Sequence, residues 1–152
     1  MRIMIDTNIY DSLIDDNKTL KLVEQLVEEG LVKILTTHIQ EDEVEQTKAT
    51  DKREKLKNVS ITNKIGTSVF VIGTSRIGEA GLGSGTENGV EFTRIQKFNS
   101  KHTNDAIIAV TTAKEADVLV TEDTKLREKI KAQSTTLETW DYKQFTDYIN
   151  SL

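Results

Sequence analysis

Four acidic residues of this chain, Asp6, Glu43, Asp105 and Asp123, stand where a parallel α/β fold could bring them together. Asp6 ends the apolar run Arg2-Ile3-Met4-Ile5, and Asp123 follows the run Val118-Leu119-Val120, so both fall where a buried strand gives way to a loop. Asp105 opens the helical stretch Asp105 to Val110, and Glu43 lies inside the helix that follows a second strand. In open parallel sheets, ligands bind outside the carboxyl ends of the strands, near the point where strand order reverses. Carboxylates gathered there repel one another unless a cation lies among them. The chemistry this pattern suggests is hydrolysis of a phosphate ester assisted by a hard divalent metal. Each Asp taken singly is also explained as a helix cap, and Glu43 as one solvent-facing member of Glu41-Asp42-Glu43. The joint pattern is more specific than any of its members.

Short polar side chains near these acids could orient a carboxylate or a water, and Asn8 and Thr121 are placed to do so. His38 and His102, the two histidines, lack zinc-site spacing and are expected at the surface. Arg76, Arg94 and Lys101 are candidates for holding a polyanionic substrate. The cluster Lys48, Lys52, Arg53, Lys55 and Lys57, with Asp51 and Glu54 interspersed, reads as a solvated helix face. A net charge of -5 argues against gripping nucleic acid by overall charge. Acids that bind metal would be locally offset, so a nuclease stays open.

Other chemistries are a poor match. Gly73-Thr74-Ser75-Arg76-Ile77-Gly78-Glu79 has P-loop glycine spacing, but Glu79 stands where the lysine is needed. Gly81-Leu82-Gly83-Ser84-Gly85 is not a dinucleotide fingerprint, and Asp6-Thr7-Asn8 lacks the second Asp of phosphoaspartyl hydrolases. The chain has no cysteine, which removes disulfides, thiolate metal sites and cysteine nucleophiles. No Gly-x-Ser-x-Gly elbow is present either.

The positioning elements follow from apolar periodicity. A strand is expected over Arg2 to Ile5, then a short helix through Leu13-Ile14. A helix from Thr19 carries Leu20, Val23, Leu26 and Val27 at helical spacing, with Gly30 past its end. Leu31 to Leu35 reads as a buried strand, and a long charged helix from His38 to Lys57 places Ile39, Glu43 and Val44 on one face. Ser68 to Ile72 and Val90 to Ile95 read as strands flanking an irregular glycine-rich stretch, Gly73 to Gly89. Thereafter Thr103-Asn104 caps a helix from Asp105 to Lys114, a strand runs to Val120, and a helix spans Thr124 to Ile130. Thr135 to Trp140 is a last strand, and Asp141 to Ile149 a last helix with Phe145, Tyr148 and Ile149 inward. Helices alternating with short buried strands give a three-layer α/β/α fold with a central, mainly parallel sheet. At 152 residues one domain over 1–152 is expected, with 58–99 as an atypical insertion. The apolar runs are too short to span a membrane, no secretory signal is evident, and a cytoplasmic location is expected.

The chain resembles PIN-domain proteins. The resemblance rests on Ile3-Met4-Ile5-Asp6-Thr7-Asn8, Thr37-His38-Ile39-Gln40-Glu41-Asp42-Glu43-Val44, Asn104-Asp105-Ala106-Ile107-Ile108-Ala109 and Leu119-Val120-Thr121-Glu122-Asp123-Thr124-Lys125-Leu126. These segments follow the family's order and bracket nearly the whole chain. Glu43 is preferred to Glu41 as the second acid, because the following Val44 matches the family's Glu-Leu pairing. The resemblance implies a compact α/β/α domain whose acidic pocket, Asp6, Glu43, Asp105 and Asp123, binds one or two Mg²⁺ or Mn²⁺ ions. Many relatives are single-strand-specific ribonucleases, including VapC-type toxins of toxin-antitoxin pairs, and homodimers are common. An antitoxin partner and a single-stranded RNA substrate are the corresponding expectations. The segment 58–99 departs from the family, which generally places helices there.

Overall fold

Alternation along the strands sorts the core into two faces. Ile3, Ile5, Ile34, Val118 and Val120 point to one side, and Met4, Leu35 and Leu119 to the other, all of them buried. The computed structural model describes residues 1–46, 62–68, 103–132 and 137–152, with Asp105 and Ala106 described by backbone alone. Within them the order is β1 (Arg2–Ile5), α1 (Thr7–Asp15), α2 (Asn17–Glu28), β2 (Lys33–Thr36), α3 (His38–Glu45) and β3 (Thr62–Lys64). It continues with α4 (Thr103–Glu115), β4 (Val118–Val120), α5 (Thr124–Ala132), β5 (Glu138–Trp140) and α6 (Tyr142–Ile149).

The five strands form one sheet in the order β3-β2-β1-β4-β5, parallel at every pairing. Strand order reverses between β1 and β4, which makes their carboxyl ends the switch point of the sheet. Helices α1, α2 and α6 cover one face through Ile9, Leu13, Val23, Leu26, Phe145 and Ile149. Helices α4 and α5 cover the other through Ile107, Ile108, Leu126 and Ile130. Helix α3 belongs to both sides, because Val44 packs in the first cluster and Ile39 in the second. The three-layer architecture is therefore the expected one, and the described sheet is wholly rather than mainly parallel.

Local signals end the elements. Asp16 separates α1 from α2 and accepts from the Thr19 N–H at 3.1 Å, an N-cap that starts α2 two residues earlier than expected. At the other end the Gly30 N–H donates to Val27 O and the Leu31 N–H to Leu26 O, both at 3.0 Å. Gly30 has φ 73, the left-handed conformation this paired closure needs. Asp141 and Gln144 form a capping box that opens α6.

Several expectations are corrected. Thr103 and Asn104, expected as caps, are the first two residues of α4. The second strand begins at Lys33, because Leu31 and Val32 close the α2 terminus. Helix α3 ends at Glu45 with Gln46 as its C-cap, and residues 47–57 of the long helix expected there lie outside the described residues. Strand β3 was not anticipated. Its Thr62-Asn63-Lys64 are polar and mostly exposed, as a short strand at the edge of the described sheet allows. The strand expected at Ser68 to Ile72, the glycine-rich stretch, the strand at Val90 to Ile95 and the cluster from Lys48 to Lys57 fall on or mostly on residues outside the description. No helix among the described residues is long and apolar enough to cross a membrane.

At the amino edge Asp117 accepts from the Arg2 backbone N–H at 2.8 Å and the Arg2 guanidinium at 2.9 Å. These bonds hold the Asp117 carboxyl below its ordinary value of 3.8, the backbone N–H most strongly. A depressed carboxyl contributes stability above its unfolded pKa and loses it as pH falls through the folded value. Both side chains are about half exposed, so solvent screens the pair to a fraction of about 1 kcal/mol. Asp117→Asn should lower the melting temperature slightly at pH 7, and the difference should begin to shrink near 3.8 and vanish once pH has fallen through the depressed folded value. A gap that persisted in acid would show that the loss is not electrostatic.

Candidate active site

Four chain segments meet at the switch point, and each contributes side chains to one hydrogen-bonded network. Asp6 follows β1 and caps α1, its Oδ1 accepting from the Thr7 N–H at 2.7 Å. Its Oδ2 accepts from the Thr121 hydroxyl at 2.6 Å and from the Asn8 amide at 2.8 Å. Thr121, fully buried at the end of β4, also accepts from Asn8 Nδ2 at 3.2 Å and from the Asp123 N–H at 3.1 Å. Asn8 is held in turn by the Glu122 N–H, which donates to its Oδ1 at 3.1 Å. The amide orientation of Asn8 is thus set, with its NH₂ toward Asp6.

Glu43 reaches the same place from α3. The Thr7 hydroxyl donates to its Oε2 at 2.5 Å, and Asn104 of α4 donates to its Oε1 at 3.2 Å. Thr7 therefore touches both acids, through its backbone N–H to Asp6 and its hydroxyl to Glu43. Burial pushes the Asp6 carboxyl above 3.8, and the charge of Glu43 adds to the rise, against the Thr121, Thr7 and Asn8 donors that lower it. Glu41 faces elsewhere and pairs with Lys64 at 2.7 Å.

Gln40 braces this corner from beneath. It is buried, donates to Ile5 O, and accepts from the Thr37 N–H at 2.8 Å. The Thr37 and Thr36 hydroxyls donate to the same Oε1 at 3.2 and 3.4 Å. The end of β1, the end of β2 and the start of α3 are tied by one side chain.

Asp123 stands further along the β4–α5 turn. Its Oδ1 accepts from the Leu126 N–H at 3.0 Å, capping α5, and it meets the Asp6 network through the Thr121 hydroxyl. Asp105 follows Asn104 on α4, and its side chain lies outside the described residues, as do Arg76, Arg94, Lys101 and His102. His38 corrects the surface expectation. It is fully buried, on a helix whose Ile39 and Val44 pack into different cores.

Among the described residues no three acids or histidines are grouped closely enough to hold a metal. The described part of the site offers two carboxylates amid hydroxyl and amide groups, with no sulfur. That set fits a hard cation, and Mg²⁺ in particular is usually bound through one or two carboxylates with water completing the shell. Sequence reasoning missed Thr7, Gln40 and Asn104. The spacing Thr37-x-x-Gln40 is a capping-box signal that pointed to Gln40, whereas Thr7 and Asn104 are legible only once α1, α3 and α4 are brought together.

No protein-family model matches the sequence, and no curated protein matches it. Among solved structures, the crystal structure of VapBC2 from Rickettsia felis bound to a DNA fragment from their promoter contains a similar chain. The TM-score is 0.52 at 16% identity, over 93% of this chain and 98% of that one. At that identity the likeness establishes a shared fold, the three-layer α/β/α arrangement with its parallel sheet.

Proposed function

We propose that this protein is a divalent-metal-dependent nuclease that hydrolyses phosphodiester bonds, with single-stranded RNA as its substrate. The observation that carries the reading is the Asp6–Thr7–Glu43 arrangement at the switch point: a desolvated carboxylate and a second acid beside it, both held in place by neutral donors. An arrangement of this kind is costly by itself and is relieved by a cation. Asp6 and Asp105 would hold Mg²⁺ or Mn²⁺, with Glu43 and Asp123 as the remaining acids of the set. Such an ion supplies charge neutralisation at the scissile phosphate and a more acidic water.

The chain's own residues do the rest. Asn8, Thr121 and the Thr7 N–H fix the direction of the Asp6 carboxylate, so no reorientation is needed when substrate arrives. Glu43, steadied by Thr7 and Asn104, is the acid to take a proton from the attacking water. A flexible single strand reaches a recessed acidic edge more readily than a duplex. The likeness to VapBC2 supports a place in a toxin-antitoxin pair, with an antitoxin protein and a second copy of the chain as partners.

The test is a panel of fluorescent single-stranded RNA, hairpin RNA and flapped DNA, incubated with Mg²⁺, Mn²⁺ or EDTA. Cleavage of the single-stranded RNA that EDTA abolishes is the expected result. Binding of RNA without turnover in either metal would transfer the protein to a second class, a non-catalytic PIN-like binding module. Preferential cutting of flapped DNA would keep the chemistry and change the substrate.

A further inference from the structure

The carboxyl edge of the sheet carries a partly buried cation that is held by neutral acceptors. Arg127 of α5 is partly buried, and its Nη1 donates to the Thr121 carbonyl at 2.6 Å. Its Nη2 donates to the Thr124 hydroxyl at 3.5 Å, a weak bond. Both acceptors are neutral, and Arg127 makes no ion pair among the described residues. By contrast, Lys64 at the same edge is neutralised by Glu41.

Thr121 is the link that gives this a meaning. Its carbonyl receives Arg127 and its hydroxyl donates to Asp6, each at 2.6 Å. Arg127 and Asp6 are thus both bonded to Thr121, one through its carbonyl and the other through its hydroxyl, and the guanidinium makes no ion pair among the described residues. A guanidinium has five N–H donors in a planar fork that matches phosphate oxygens. Two are occupied here, and a carbonyl clamp alone would not require a charge.

We propose that Arg127 is a substrate-binding residue that holds a backbone phosphate of the nucleic acid next to the one being cut, an inference that rests on the nuclease reading above. Its bond to the Thr121 carbonyl aims the fork, and the remaining N–H groups take the phosphate. The contact is to the sugar-phosphate backbone, so it confers affinity and register and no base preference.

The test compares wild type with Arg127→Met and Arg127→Lys on a fluorescent single-stranded oligoribonucleotide, with KM and kcat measured across a KCl series. Arg127→Met should raise KM roughly tenfold or more at little cost to kcat, as loss of a charge-assisted hydrogen bond to the ground state and transition state alike requires. The slope of log KM against log salt should fall by about 0.7, the value for one single-strand phosphate contact. Arg127→Lys should keep that slope and raise KM less. Unchanged KM and slope in a folded Met variant, or an effect confined to melting temperature or kcat, would overturn the proposal and leave the nuclease reading standing. Should the Met variant not fold, an unchanged KM and slope for Arg127→Gln, which also lacks the charge, have the same force. Wild type that neither binds nor cuts nucleic acid removes both.

Discussion

Replacing Asp6 by Asn should reduce metal-dependent cleavage by on the order of 10³-fold and, without metal, make the protein harder to melt. Lewis-acid stabilisation of a phosphoryl transition state is worth several kcal/mol, and each tenfold in rate corresponds to about 1.4 kcal/mol. An amide oxygen in place of the carboxylate forfeits most of that. The stability gain follows from the raised carboxyl pKa of Asp6, caused first by burial and then by Glu43. A group whose folded pKa exceeds its unfolded one is more easily charged in the unfolded chain. Its penalty is absent well below 3.8, grows as pH rises through the raised folded value, and stays complete above it. Asn removes the penalty, though its own NH₂ would face that of Asn8, which Glu122 holds in place. The melting-temperature advantage of the variant should thus be larger at pH 8 than at pH 4, and Mg²⁺ should narrow it by stabilising wild type alone. Retained cleavage in the variant, or an advantage that shrinks as pH rises, would sink the assignment of Asp6.

Gln40→Leu is the substitution expected to cost most stability outside the hydrophobic positions, about 2–5 kcal/mol. Leucine fills a similar volume, so no large cavity opens. What is lost is the pairing of two buried backbone groups, Ile5 O and the Thr37 N–H, each of which costs roughly 1–3 kcal/mol when stranded. Urea unfolding should show a lower midpoint with an unchanged m-value, the mark of weakened stability rather than an altered unfolded state. A change below about 0.5 kcal/mol, within the range of an ordinary surface substitution, would mean that water or a shifted backbone meets those groups. Because Gln40 and Glu43 lie on one short helix, the same variant should also loosen the Glu43 end of the site.

Much of this was legible in the residues because buried parallel strands read as apolar runs. Arg2 to Ile5 and Val118 to Val120 could hardly be anything else, and the acids that follow them mark the edge where a site belongs. Gly30 announced the end of α2 through the one backbone conformation that favours it. The polar strand Thr62 to Lys64 was not legible, since its three residues are polar and it has one neighbour among the described strands. His38 misled for a related reason. It is buried on a helix whose Ile39 and Val44 pack into different cores, and no local pattern records that. The contacts of Thr7 with Glu43, of Asn104 with Glu43 and of Arg127 with Thr121 join residues on different elements, and side-chain type alone does not predict them. Glu41 and Glu43 were separated by sequence on the strength of Val44, and in the fold it is Glu43 that stands beside Asp6.

The seating of β1 between β2 and β4 also governs when the site comes into being. Asp6 leaves the ribosome 115 residues ahead of the threonine whose hydroxyl orients it. At about 5–20 residues per second, that interval is on the order of 10 s. Until β4 is made, the central strand has one flank open and Asp6 lacks both Thr121 and the loop that holds Asn8. On the nuclease reading proposed above, the acid at the centre of the site takes up its final setting only after β4 has been made.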